Sequence, residues 1–433
     1  MAREYKDSGI EWIGQIPKEW KVSRLKFVLN SSIETGKRPN EPDGKILSIG
    51  GEHIQNGVFD LSHPMYVSES TYIGNKGKIK LNDTLVVKDG ATIGKCMYVT
   101  SMPQEKMLLN EHVYRVSCSK FYYYWILSDF SQKWFRVRNQ STAQESITGP
   151  TILNIPVVVS ENAEQQRVAD YLDTKCEEID SIIALQEKMI EELKAYKQSI
   201  ITEAVTKGLN PNVPMKNSGI DWIGEIPEHW RLEPLKYCFG RRSEKNCPVK
   251  TKERLSLSID KGVTLYAEKT TNLDRFKDDF TQYQIAYPND IVLNCMNMIV
   301  GAVGLSNYMG CVSPVYYVIY PSKQDVSPLY YSYLLNIPTI RGVYYSLGKG
   351  IYAIERGEGR VNTCRLKVSY NDFGRLEIPV PPVKEQKAIT QYIQEKCSEI
   401  DSLIAIKQQK ISELKEYKKS VIYEYVTGKK EVV

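Results

Sequence analysis

The chain has no apolar run long enough to span a membrane, and its opening residues, MAREYKDSGIEW, lack the apolar core of a secretory signal. A cytosolic location is therefore expected. Its nine cysteines include no C-x-x-C pair. An odd, scattered set in a long cytosolic chain reads as reduced, buried thiols, not as disulfides or a zinc site. The four histidines, His53, His63, His112 and His229, stand far apart without ligand spacing, so no metal is expected. Neither sign of charge dominates. A net charge of +5 permits nucleic-acid binding without announcing it. A hydrophobic fraction of 42% with 25% charged residues excludes a disordered chain.

Catalytic signatures are missing too. GATIGKC (90–96) is one residue short of a phosphate-binding G-x-x-x-x-G-K-[ST] and ends in Cys96, while Gly357 and Gly359 lead to Asn362 where a dinucleotide fingerprint requires glycine. There is no H-E-x-x-H, no deaminase signature, and neither N-P-P-[YF] nor D-P-P-Y of amino-group DNA methyltransferases. No reaction, and no cofactor of its own, is expected of this chain.

What the chain does have is a duplication. KDSGIEWIGQIPKEWKVSRLK (6–26) returns as KNSGIDWIGEIPEHWRLEPLK (216–236), with 12 of 21 positions identical. A second block, 164–206, returns at 385–427 with 22 of 43 identical. The offsets are 210 and 221 residues, and the intervening stretches, about 27–160 and 237–383, show little mutual similarity. Each half is thus a variable domain between two constant elements. A length of 433 residues also favours several domains.

In the second block Val168, Leu172, Ile179, Ile182, Ile183, Ile190, Leu193, Ile200 and Ala204 recur at helical spacing, without Gly or Pro between them. Ile389, Ile393, Ile400, Leu403, Ile404, Ile411, Leu414 and Ile422 repeat the pattern. Such a helix is about 65 Å long, suited to a coiled-coil arm. Two equal arms in one chain pair most simply antiparallel; two helices packed separately on their own domains are the alternative. Gly208 and Gly428 mark the helix ends. Within the variable stretches, 83–99, 110–117, 290–305 and 313–320 read as strands, and 121–130 and 328–336 as short helices. The expected fold is α+β: two globular domains joined by two long helices with an internal pseudo-two-fold repeat. The expected boundaries are 1–160, 161–208, 209–383 and 384–433.

S-G-I-x-W-I-G-x-I-P-x-x-W opening each half, and I-P-V before E-Q at each long helix, resemble the specificity subunits of type I restriction-modification systems over essentially the whole chain. G-A-T-I-G (90–94) supports the likeness, and NCMNMIVGAVG departs from it in the second domain. The resemblance implies a non-catalytic subunit whose two unlike domains each read half of an asymmetric bipartite site in double-stranded DNA. It also implies that the paired helices, through Val168, Leu172, Ile179, Ile183, Ile190, Leu193, Ile389, Ile393, Ile400, Ile404, Ile411 and Leu414, serve as spacer and docking surface for two modification subunits. Restriction subunits are further implied partners. S-adenosylmethionine, ATP and magnesium are implied for the partners alone. A nuclease or methyltransferase with an unrecognised site, and a scaffold that binds only proteins, are the competing readings.

DNA contact calls for cations and amide readers. In the first domain the candidates are Lys88 and Lys95 around Gly90, and Arg136, Arg138, Asn139, Gln140 and Gln144. In the second they are Lys349, Arg356, Arg360, Asn362 and Arg365 on a Gly-rich loop. Gly36, Lys37 and Arg38, and likewise Arg241 and Arg242, lie at matching places early in each domain. Trp12, Trp20, Trp222 and Trp230 belong to constant segments and are expected to serve architecture or docking. The 29 tyrosines are expected mainly in the core.

Overall fold

The computed structural model describes residues 3–37, 41, 43–55, 57–138, 146–259, 261–268, 279–351, 355–356, 360–361 and 365–432. The principal strands are β1 (Asp83–Val87), β2 (Cys96–Tyr98), β3 (Val113–Ser117), β4 (Ile291–Asn294), β5 (Val303–Leu305) and β6 (Tyr316–Pro321). The principal helices are α1 (Lys120–Leu127), α2 (Asp129–Arg138), α3 (Asn162–Lys207), α4 (Pro328–Leu334), α5 (Pro338–Leu347) and α6 (Val383–Val426).

The chain divides into two compact units, and the division cuts both long helices. One unit holds Met1–Glu187 with Gln408–Val433; the other holds Lys188–Lys407. The sequence boundaries at 160 and 383 follow changes in pattern, whereas these units follow burial. Val168 and Leu172 of α3 share a core with Val421, Ile422 and Val426 of α6 in the first unit. Ala204 and Val205 of α3 share a core with Ile389 and Ile393 of α6 in the second.

In each unit the two helix halves run antiparallel. Asp180 pairs with Lys418 at 2.6 Å and Glu187 with Lys415 at 3.9 Å in the first unit, so partner numbers fall as helix numbers rise. In the second, Lys197 pairs with Asp401 at 2.7 Å, which is the first of those pairs repeated by the duplication. Val168, Leu172, Ile179, Ile183, Ile190, Ile389, Ile393, Ile400 and Ile411 are buried, as a coiled-coil seam requires, while Leu193, Ile404 and Leu414 are half-buried. Ile182 and Leu403 leave the expected stripe: both are exposed, because a two-helix seam covers a narrower face than a globular core.

Despite unlike sequences, the variable domains share a three-stranded core. Strand order is β3-β1-β2 in the first and β6-β4-β5 in the second, where Phe239–Arg242 adds a fourth strand beside β6. Each core is entered the same way. Asn82 and Asn289 take φ of 68° and 70°, a left-handed turn that asparagine tolerates. The next residue, Asp83 or Asp290, is buried and accepts a backbone N–H three residues back, from Lys80 or Tyr287. An arginine balances each carboxylate, from a different strand in each case: Arg115 opposite Asp83, and Arg242 on Asp290 at 2.6 and 3.0 Å.

The constant segments close the ends of the long helices. Trp20 and Trp230 are buried, and each donates its indole N–H to the glutamate of an E-Q pair, Glu164 at 2.8 Å and Glu385 at 2.9 Å. The adjoining glutamines are buried and tie helix to domain: Ser119 donates to Gln165, and Gln386 accepts from the Ser327 backbone N–H.

Candidate nucleic-acid interface

The hairpin that joins β1 to β2 carries Lys88, Gly90 and Lys95. Its bend closes through Gly94 N–H to Val87 O at 2.8 Å and Lys95 N–H to Thr92 O at 3.0 Å. The chain returning from α2 meets it: Ile147 donates to Lys88 O at 2.6 Å, and Ser146 forms a bridge with Asp89. The two candidate segments of the first domain therefore lie together. Gln132 of α2 fixes the far side of the hairpin with a bond to Gly94 O at 3.0 Å.

Lys95 donates to Gln55 at 2.8 Å, and Lys88 lies over the Tyr114 ring, 4.0 Å from Asp89. Asp89 also holds His112 Nδ1 at 2.5 Å. Arg136 and Arg138 are exposed, the latter stacked on Trp134 with 3.8 Å to the ring centre. Asn139, Gln140, Gln144 and Arg38 lie outside the described residues. Lys37 is exposed, but Gly36 is packed for architecture: a Cβ there would lie 1.5 Å from the Leu109 carbonyl oxygen.

The second domain repeats the plan with other residues. The hairpin 295–302 joins β4 to β5 and is met by Val368, which donates to Cys295 O at 3.1 Å as Ile147 does to Lys88 O. The tips differ in chemistry: Gly90, Ala91 and Thr92 are exposed in the first domain, Asn297 and Val300 in the second. In place of the expected Gly-rich loop, Lys349–Ile351 pairs with Arg365–Lys367, and Glu355–Arg356 with Arg360–Val361. Pairing satisfies backbone groups that an extended loop would leave to water. Lys349 is exposed, Arg356, Arg360 and Arg365 fall on ribbon strands, and Asn362 lies outside the described residues.

Arg241 is exposed, its guanidinium 4.8 Å from the Tyr370 ring centre and 5.3 Å from that of Tyr317. Arg242 is instead committed to Asp290 and to the rings of Tyr287 and Tyr320.

Sequence reasoning passed over Lys367, which stands directly across the ribbon from Lys349, and Arg341 of α5, which contacts the end of the 295–302 hairpin. Arg341 falls where α2 has Gln132, yet the helices are too unlike in sequence for that alignment to show. Among the described residues no group of three or more His, Cys, Asp or Glu could hold a metal ion, and no helix is long and apolar enough to cross a membrane.

Residues 17–195 match the family model described as the type I restriction modification DNA specificity domain. The chain is 24% identical over 444 residues to the putative type I restriction enzyme MjaX specificity subunit of Methanocaldococcus jannaschii, covering 96% of this chain and 95% of that protein. It is 22% identical over 436 residues to the MjaVIII specificity subunit of the same organism, covering 96% and 94%. In fold it is similar to a chain from a study of complex assembly and conformational transition in the type I R-M system, with a TM-score of 0.67 at 14% identity, covering 95% of this chain and 98% of that one. The HsdS subunit from Thermoanaerobacter tengcongensis gives a TM-score of 0.51 at 14% identity with the same coverage. With two variable domains of one topology joined by duplicated helices, the chain is similar along almost its whole length to type I restriction enzyme specificity subunits.

Proposed function

We propose that the two variable domains read the two unlike halves of an asymmetric bipartite site in double-stranded DNA, and that the chain holds modification and restriction subunits over it without catalysing a step. The observation that carries this reading is one hairpin plan furnished with different chemistry. Lysines and small polar residues line 88–95, and Asn297 and Val300 cap 295–302. A shared scaffold with different side chains suits two readers of different sequences. Lys37, Lys88, Lys95, Arg136 and Arg138 serve the first half-site. Lys349 and Arg241, with the ribbon that carries Arg356, Arg360 and Arg365, serve the second.

The helices offer one docking patch per unit for a modification subunit. Ile182, Leu185 and Tyr417 are exposed at one level of the first unit, and their repeats Leu403, Ile406 and Tyr196 are exposed at one level of the second. Exposed apolar groups repeated by the duplication suit two copies of one partner. S-adenosylmethionine, ATP and magnesium would be supplied by the partner subunits, in the cytosol where the DNA is.

Methylome sequencing of a host lacking its own adenine methylation, given this chain with its neighbouring modification subunit, tests the proposal. A new bipartite motif with two unlike halves and a fixed gap, absent without this chain, is expected. A soluble complex that yields no motif would overturn it.

A further inference from the structure

The end of the 295–302 hairpin holds a guanidinium, that of Arg341, with no counter-ion among the described residues. Arg341 donates Nε and Nη2 to Asn336 Oδ1 at 3.2 and 2.9 Å. An amide oxygen is no counter-ion, and among the described residues Arg341 has no carboxylate partner. Burial presses its pKa below the usual arginine value. Leaving a half-buried cation uncompensated costs free energy, so its retention asks for a reason.

The backbone gives way to hold it. Gly301 has φ of +97°, and a Cβ there would lie 2.7 Å from Arg341 Cζ. Asn336 engages the Nε/Nη2 edge of the guanidinium, and Gly301 abuts Cζ and Nη2. Among the described residues Nη1 has no hydrogen-bond partner, which leaves the Nη1/Nη2 edge of the planar guanidinium as a two-donor fork.

The opposite end of the same hairpin is met by the ribbon base, through Val368 N–H to Cys295 O. There Lys349 and Lys367 face each other as a direct cross-strand pair, both exposed. Like charges so placed repel. Neither these lysines nor the exposed Arg241 has a carboxylate partner among the described residues. In the first domain the place of Arg341 is taken by Gln132, whose amide N–H groups are spent on Gly94 O and Ile126 O.

We propose that Arg341 reads the O6/N7 edge of a guanine in the half-site of the second variable domain, with Lys349, Lys367 and Arg241 gripping the flanking phosphates. This rests on the DNA-reading role proposed above. Base reading needs a donor pair held in place, which Arg341 is; phosphate contact tolerates long, mobile lysines. The fork geometry matches guanine, the commonest partner of a bidentate arginine.

The test uses the full chain in complex with its modification subunit, and the target that methylome sequencing defines. Competition binding is measured with every base pair of that target replaced in turn, for wild type, Arg341→Gln, Arg341→Lys and Lys367→Gln. Wild type should discriminate one G·C pair of the second half-site by roughly ten- to a hundredfold. Arg341→Gln should abolish discrimination at that pair alone. Arg341→Lys keeps charge but loses the fork, so it should do the same, and it carries the test if the Gln variant does not fold. Lys367→Gln should weaken all sequences alike and lower the salt slope by about one.

Uniform weakening in both Arg341 variants would make the residue a phosphate contact and overturn the base-reading role. An unchanged profile would overturn the contact altogether. A wild-type complex that discriminates no base pair would instead overturn the DNA-reading role itself.

Discussion

The indole N–H of Trp230 donates to Glu385 Oε2 at 2.9 Å, joining the constant segment that opens the second half to the first turn of the helix that closes it. Trp20 and Glu164 repeat the bond in the first half. Trp230→Ala is expected to cost the second unit about 3–5 kcal/mol through the cavity alone. Glu385→Gln keeps an acceptor and is expected to cost only about 1 kcal/mol. Urea unfolding followed by tryptophan fluorescence and by helical circular dichroism checks both.

The exposed apolar trios yield a stoichiometric prediction. Changing Ile182, Leu185 and Tyr417 together to Ser should remove one of two modification subunits from the complex, and changing Leu403, Ile406 and Tyr196 together should remove the other. Both sets combined should leave none, as read by native mass spectrometry. Stability should shift little, because each of the six side chains is more than 40% exposed.

The helix seam can be probed at its centre. Ile190 is buried with 6% exposure, so Ile190→Asn places an amide among apolar neighbours and is expected to cost about 2–4 kcal/mol. Exchanging Asp180 and Lys418 as a pair should cost less than about 0.5 kcal/mol, since Asp180 is 58% exposed and solvent screens it. Thermal melts of the three chains distinguish these outcomes.

Burial pushes the thiols of Cys96 and Cys118 up to about 12, and those of Cys176 and Cys238 up to about 11. Cys247 is exposed. At pH 8, Ellman's reagent should therefore react fast with Cys247 and slowly with those four, and Cys247→Ser should remove that fast phase. The raised values also set a direction with pH. An unfolded thiol ionises near pH 8.5 while the buried one does not, so their contribution is intact below that pH and lost as pH rises beyond it. Denaturation midpoints measured from pH 7 to 10 should fall accordingly.

The duplication and the helices were legible because both are local patterns: Trp12, Pro17 and Trp20 return as Trp222, Pro227 and Trp230, and the isoleucines keep their spacing. The compact units were less so: antiparallel arms bring Leu172 towards Val421 and Ile422, but no local pattern marks the division of both helices after Glu187 and Lys407. The two hairpins share their entry, Asn82-Asp83 and Asn289-Asp290, but too brief a signal to align 88–95 with 295–302 by sequence. Arg341 looks like ordinary helix surface until Gly301 and Asn336 are seen beside it. Arg242 errs the other way, since its charge suggests DNA contact and its partner Asp290 lies 48 residues further along the chain.

The division of the chain into Met1–Glu187 with Gln408–Val433, and Lys188–Lys407, bears on the order in which it is made. Domains commonly complete themselves from the N-terminus during synthesis. Here the first unit synthesised is the last able to close, because Val421, Ile422 and Val426 must leave the ribosome before its core has its full set of partners. Any nascent chain that stops at 407 can hold a finished second unit and still present Val168, Leu172 and Trp20 to whatever it meets, so the arrival of residues 408–433 decides whether the first unit can close.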